Sequence, residues 1–519
     1  MQQAGWVNRP GLLWRPLSLL MAGAAACFLA VFVAYSIHMF GLLLPIALFS
    51  LMPIIWALLW PRSCAFFLLG ALIVVEPHAL DATGILSQMI YRFPPAIEAA
   101  MPITLAPVEV LGLITLASML VRARPERRAL WRGMPVLALA IPGVMLAGIA
   151  YGFAKGAQAG LAYHEARGLI FAIVAFALAI ELGDTPRRSI VRFVIKSTTL
   201  AAIVLLGRYF FLTRDGQSDV PAEFAYAHES VLLLVTGIAV GIGAWMAGNG
   251  KGRNWFLLLH SLLLLAAILV TGRRSGTLVV LVVGIVLLAL LIRRQPLRAG
   301  IAGLVAMVLL SAYLGAFWNQ QYGALAQPAR AIRSQIDPSA RDQSSDEYRI
   351  IERASIVQTI RSNPLLGVGF GKEFFLVAPL PDMTSYWPLQ YHTPHQNVLW
   401  LWLKMGIIGI STVLGAWLLA SARAVRAFWV APRDGPFPFL PLVLMSMFAA
   451  YLCFATVDVT FASTRAMVPF GAALAIAFTQ LPAWSGPRAD VTDDELTEDG
   501  RLTSTPAAGQ GSMESKVAL

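Results

Sequence analysis

The sequence predicts an all-α, polytopic membrane bundle, and three observations carry the prediction: hydrophobic residues make up 58% of the chain, charged residues only 13%, and the mean hydropathy is +0.70. A soluble domain carries about a quarter charged residues. Crossing a roughly 30 Å hydrocarbon core takes about 17 to 25 apolar residues. Runs of that kind stand near 17–36, 41–60, 105–121, 134–152, 167–183, 191–212, 227–247, 255–270, 276–292, 299–317, 398–420, 437–457 and 464–482, with a weaker one at 63–76. Continuous runs this long satisfy their own backbone amides in lipid only as helices.

The first run follows Arg9 and Arg15 like a signal peptide, but its apolar stretch continues through "FLAVFVAY" into further helices, so it reads as an uncleaved first span. Cys27, Cys64 and Cys453 all fall inside apolar runs without paired or metal-like spacing. They indicate neither a disulfide framework nor a zinc site.

The net charge of +11 does not imply a nucleic-acid partner, because the basic residues cluster in short connectors: "RARPERRALWR", "TPRRSIVRFVIK", "GKGR", "RRQPLR" and "ARAVRAFWVAPR". Such connectors face the cytoplasm. Counting alternately from a cytoplasmic N-terminus places all five inside only when 63–76 is included, which gives about 14 spans and puts both termini inside. The expected organisation is a membrane domain over 1–482 and an acidic, disordered cytoplasmic tail over 483–519.

The same count puts 318–397 on the outer, periplasmic side as one loop of about 80 residues, far longer than the usual connection of roughly 4 to 6. Within it, "SSDEYRIIERASIVQTIRSNP" reads as an amphipathic helix lying at the membrane surface. It carries a Ser344–Glu347 capping box, apolar residues at Tyr348, Ile351, Ile356, Val357 and Ile360, and a stop at Asn363-Pro364. The following "LLGVGFG" lacks a preceding strand and dinucleotide-type spacing; it reads as a tight turn, with phosphate cradling as the second option.

Arginines on the outer side run against the charge bias and therefore mark candidate sites. Arg167 begins one span, Arg273 and Arg274 in "TGRRSG" form a very short turn, Arg465 opens the last span, and Arg349 joins them from the loop helix. One such arginine reads equally as a headgroup anchor. Two adjacent guanidinium groups repel unless an anion lies beside them, and the planar fork suits phosphate.

Six of the seven histidines fall in or beside outer segments. His395 stands apart because Thr393 can cap a helix that begins at Pro394 and runs on through "VLWLWLKMG". The positive end of that helix disfavours an imidazolium in its first turn, leaving a neutral imidazole as a candidate general base. His392, three residues earlier, is its competitor. Asp458 lies at the outer end of a span, where it orients a histidine, pairs with Arg465 or is simply solvated.

In order, "TGRRSG", "SSDEYRIIERASIVQTIRSNPLLGVGFG" and "HQNVLWLWLKMGIIG" resemble the signature of the O-antigen ligase and O-antigen polymerase superfamily of bacterial membrane glycosyltransferases, over about 255–420. The resemblance implies a GT-C-like fold in the bacterial inner membrane. It further implies activity at the periplasmic face on undecaprenyl-diphosphate-linked glycans, with no cofactor, metal or nucleotide sugar. The acceptor is then a second lipid-linked glycan or lipid A core. On this mapping Arg274 takes the place of the family's turn arginine, Arg349 that of the loop-helix arginine and His395 that of the histidine, and Arg167 matches an arginine at the head of an earlier span. Arg273 stands where a small residue is usual, and Gln396 separates His395 from Asn397. His395, Arg274 and Arg167 are thus the catalytic candidates, and Arg273, Arg349, His392, Asn397, Asp458 and Arg465 the substrate-binding ones.

A transporter of a small anion or inorganic carbon is the rival from another class. It calls for paired ionisable groups near the midplane of inverted repeats, whereas the sequence shows only His260 and Arg208 as deep polar groups, without an acidic partner or a repeat. Cysteine introduced at Asp382 should react with an impermeant thiol reagent in intact spheroplasts, and cysteines at Gly250 and Gly435 should not. The reverse labelling pattern would overturn the orientation.

Overall fold

Apolar sequence without strand-like alternation becomes helix throughout the described part of the computed structural model, which covers residues 43–482 except 78–83, 94–97, 99–100, 102, 104, 124, 215–228, 249–254, 321–322, 385–386, 434 and 436. The helices are α1 (Leu43–Leu59), α2 (Pro61–Val74), α3 (Gly84–Tyr91), α4 (Pro107–Val121), α5 (Pro125–Arg132), α6 (Val136–Ala154), α7 (Ala159–Glu181), α8 (Arg187–Arg214) and α9 (Ser230–Ala247). They continue with α10 (Trp255–Val270), α11 (Arg274–Arg294), α12 (Pro296–Phe317), α13 (Gln327–Arg333), α14 (Ala340–Ser362), α15 (Asn397–Val430), α16 (Phe439–Val457) and α17 (Thr464–Gln480). The first expected span and the tail beyond 482 lie outside the described residues.

Among the described residues, eight helices are long and apolar enough to cross a membrane: α6, α7, α8, α9, α11, α12, α15 and α16. Helices α2, α4 and α10 are shorter and apolar, so the weak run at 63–76 is indeed helical. Helix α12 shows the lipid-facing pattern, with Leu304, Val305, Met307, Val308 and Leu309 all exposed. Helix α15 continues to Val430, ten residues past the expected span, and takes in most of the basic stretch read as a connector.

Helix α7 packs closely on α17 and on the turn before it, and uses small residues. A Cβ added at Gly471 would lie 2.0 Å from Ala172 O, and one at Gly168 would lie 2.1 Å from Phe461 O. Lipid offers no hydrophobic drive between helices, so such close backbone approach supplies the contact.

The interruption of α15 positions the site. Gly406 adopts φ 65° and ψ −169°, a region that essentially only glycine occupies. The break exposes backbone groups that the segment after α14 satisfies: Val368 N–H donates to Leu403 O at 2.7 Å, and Ile407 N–H donates to Pro364 O at 3.1 Å. The same segment lies on Gly148 and Gly152 of α6, and Phe370 N–H donates to Gly148 O at 3.2 Å.

The "LLGVGFG" stretch is therefore a plug docked into a broken helix. The amides of Gly367, Val368, Phe370 and Gly371 are bonded to Asn363 O, Leu403 O, Gly148 O and the Glu165 carboxylate, which removes the phosphate-cradle option. Replacing Gly406 with Ala should lower the unfolding midpoint: the backbone conformation alone costs on the order of 1 to 3 kcal/mol of stability, and the new Cβ also meets Leu365 O at 1.9 Å. Gly112→Ala, in open space on α4, should leave the midpoint unchanged or raise it slightly.

Candidate active site

The loop helix α14 starts earlier than the sequence suggests. Ser339 is its N-cap and forms a capping box with Asp342, so the helix covers 340–362 and the expected Ser344–Glu347 box falls inside it. Asn363 ends it, as expected. Its apolar face is buried on protein: Ile356 and Ile360 pack with Phe374 and Leu403. Asp342, Asp346, Arg349 and Glu352 precede these isoleucines at steps of four, three and three, so one stripe of the helix is polar in its first turns and apolar in its last.

At one end of this stripe lies the arginine turn. Gly272 has φ 68°, Arg273 caps α11, and Arg274 is its first residue. The protein itself supplies anions beside the turn: Arg274 lies 3.5 Å from each of Asp342 and Asp346 and donates to Ser334 Oγ at 3.4 Å. The acids escape a local reading because they are 68 and 72 residues away in sequence. Arg273, Arg274, Arg349 and Asp458 all line a cleft of about 1360 Å³ that also takes in Arg330, Arg333 and Gln327.

At the other end lies His395. It is not in a first helical turn: α15 begins at Asn397 with Gln396 as N-cap, and Thr393 Oγ donates to Leu389 O instead of capping. The helix-end argument for a neutral imidazole therefore gives way to a contact with an acid. Glu352, fully buried, accepts the His395 backbone N–H at 3.0 Å, and its oxygens lie 3.2 and 3.3 Å from ring Nδ1. Trp387 and Tyr348 stand edge-on to the imidazole at 5.1 and 5.8 Å. A carboxylate on Nδ1 holds the proton there and leaves Nε2 as the basic nitrogen. From Asp346 to Glu352 is six residues, about 9 Å along the helix.

Asn397 and Asp458 join the two ends. Asn397, buried, donates to Pro394 O at 2.7 Å and accepts from Thr460 N–H at 2.8 Å and Ala462 N–H at 3.2 Å. Asp458 is only 2% exposed, which excludes the solvated reading; it accepts from Ser275 Oγ at 3.2 Å and from Val459 N–H at 2.8 Å. Hydrogen bonds thus run from the residue after Arg274 through the 458–462 turn to the residue before His395.

The remaining candidates line other parts of this end of the bundle. Arg167 pairs with buried Glu109 of α4. Arg465 donates to Leu72 O at 2.7 Å and Ile73 O at 2.8 Å and lies 3.6 Å from Glu76, so it closes the C-terminal end of α2. His392 is buried, with Nδ1 3.4 Å from Glu165 and Nε2 3.7 Å from Glu373. Arg208, read as lacking an acidic partner, pairs with Glu76. Sequence reasoning missed Glu352, Glu165, Glu109, Glu76 and Lys404. The spacing of Glu352 from Asp346 on a helix that already carried Arg349 was the available signal.

Residues 259–414 match the family model Wzy_C, described as O-antigen ligase. This segment, which holds the arginine turn, the loop helix and His395, is similar to that family, in line with the resemblance of the sequence motifs. The match supports an enzyme of the glycosyltransferase type in a multi-pass membrane protein. No curated protein matches the chain.

Replacing Asn397 with Ala leaves two buried amide donors without their acceptor. It should cost about 1 to 3 kcal/mol in unfolding free energy, read as a lowered midpoint in detergent. Arg349→Ala should leave that midpoint within the error of measurement.

Proposed function

We propose that the protein is a metal-independent, inverting glycosyltransferase of the bacterial inner membrane. Acting at the periplasmic face, it takes glycan from an undecaprenyl-diphosphate carrier and joins lipid-linked repeats into a polymer. The observation that supports this most is the single stripe of α14, which holds Arg274 of the turn at Asp346 and His395 at Glu352, two acids separated by about 9 Å of helix rise.

In this reading the diphosphate lies at Arg273, Arg274 and Arg349. As the bond from the anomeric carbon to the diphosphate oxygen breaks, its electron pair leaves with the diphosphate, and the guanidinium groups stabilise the charge that develops. An acceptor hydroxyl attacks the opposite face of that carbon. His395 Nε2 takes its proton, while Glu352 holds Nδ1–H and stabilises the imidazolium that forms. Attack opposite to the leaving group inverts the centre.

The number of expected spans favours polymerisation. A second reading, ligation of the chain onto lipid A core, is favoured by the description of the matched family model. Purified protein given lipid-linked repeats alone should produce longer chains; product only on addition of lipid A core would make it a ligase. The transporter reading finds less support, because the sequence shows no repeat and the matched family model is described as O-antigen ligase.

His395→Ala should lower transfer by about 10²- to 10⁴-fold with donor binding retained. Glu352→Gln should lower kcat while leaving KM for the donor nearly unchanged. Arg274→Lys should rescue poorly relative to Arg274→Ala, since a point charge lacks the bidentate fork. Near-normal turnover in His395→Ala would remove the general-base assignment.

A further inference from the structure

Behind the His395 segment lies a buried charge cluster that the mechanism above does not use. Glu165 of α7 and Lys404 of α15 are both fully buried, with Lys404 Nζ 2.6 Å from Glu165 Oε1. Lys404 also donates to Lys372 O, and Glu165 Oε2 accepts the Gly371 N–H. One carboxylate and one ammonium therefore grip consecutive backbone groups at the end of the glycine plug. His392 Nδ1 lies 3.4 Å from the same Glu165 oxygen that faces the lysine.

An ion pair in this position needs a reason other than stability. Replacing a buried pair by apolar groups of similar volume is often neutral or stabilising, whereas removing one partner is costly. The connectivity supplies the reason. Phe374 N–H donates to Tyr391 O at 3.1 Å, which ties the gripped segment to the chain immediately before His392. Three residues further on, His395 is held from the opposite side by Glu352. Two residues beyond Glu165 on α7 is Arg167.

We infer that Glu165 and Lys404 are positioning residues, which set the placement of the His395 segment by clamping residues 371–373 between α7 and α15. They touch neither donor nor acceptor; they act through the plug and through His392. The inference deepens the function proposed above and takes from it the role of His395, but the geometry it describes is testable without any transfer assay.

The test compares Glu165→Gln, Lys404→Met and the double variant Glu165→Gln/Lys404→Met in the full-length protein in detergent. Three readouts are taken: the unfolding midpoint, the rate at which diethyl pyrocarbonate modifies His395, followed by mass spectrometry, and kcat and KM for lipid-linked donor. Each single variant leaves one buried charge uncompensated and should lose midpoint; the double variant should regain it. In the double variant His395 should still be modified several-fold faster than in the wild type, and kcat should remain reduced by on the order of 10- to 100-fold with KM little changed.

A double variant with wild-type midpoint and a wild-type His395 modification rate overturns the clamp. If the double variant is not recovered folded, Glu165→Asp answers the same question, because it keeps the charge and draws the carboxylate back by one methylene; an unchanged modification rate there also overturns it. Absence of transfer by the wild-type protein would sink the proposed function and leave the clamp to be decided by the modification rates.

Discussion

The structure depends on a backbone break that a buried helix would not tolerate unaided. A helix interrupted in apolar surroundings exposes an amide and a carbonyl, at a cost of several kcal/mol each when they find no partner. At Gly406 those groups, Ile407 N–H and Leu403 O, are bonded by the backbone of the plug that follows α14. The break and the plug therefore require each other. Because the plug begins where α14 ends, the loop helix is held at a fixed height and angle against α15, and its polar stripe points the same way in every molecule.

From that constraint the site assembles without long flexible reaches. Two acids and an arginine of α14 meet the arginine turn, and an acid two turns later holds His395. The 458–462 turn closes the circuit from the α16–α17 junction, with Asp458 on Ser275 and the amides of Thr460 and Ala462 on Asn397. Each contact joins elements remote in sequence, so the site exists only in the assembled bundle. The small-residue contact of α7 with α17 serves the same end, since both helices carry polar residues that close this end of the bundle.

What was legible in the sequence followed from local physics. Apolar run length gave the helices, including the weak run that is α2, and a helix in the long loop was readable from its apolar spacing and its Asn-Pro stop. The arginine turn stood out because two like charges share a very short connector. Local rules failed where tertiary contacts chose among local options. Ser339, not Ser344, caps α14 through an equally local box with Asp342, whose carboxylate also meets Arg274 from a remote helix, and Asn397 at the start of α15 is held by the 458–462 turn. The carboxylates that neutralise Arg274, hold His395 and grip Lys404 are ordinary acids in the sequence, and only the fold brings them to their partners.

The two aspartates on Arg274 have a consequence of their own. A turn whose cation is already balanced by carboxylates is an exchanger of counter-ions: an arriving anion gains only the difference between its own contacts and those it displaces. A singly charged anion offers the guanidinium little that Asp342 and Asp346 do not already offer. A dianion presenting several oxygens to neighbouring arginines offers more, so under the proposed function the same acids that quiet the turn would filter out the common small anions of the surrounding solution.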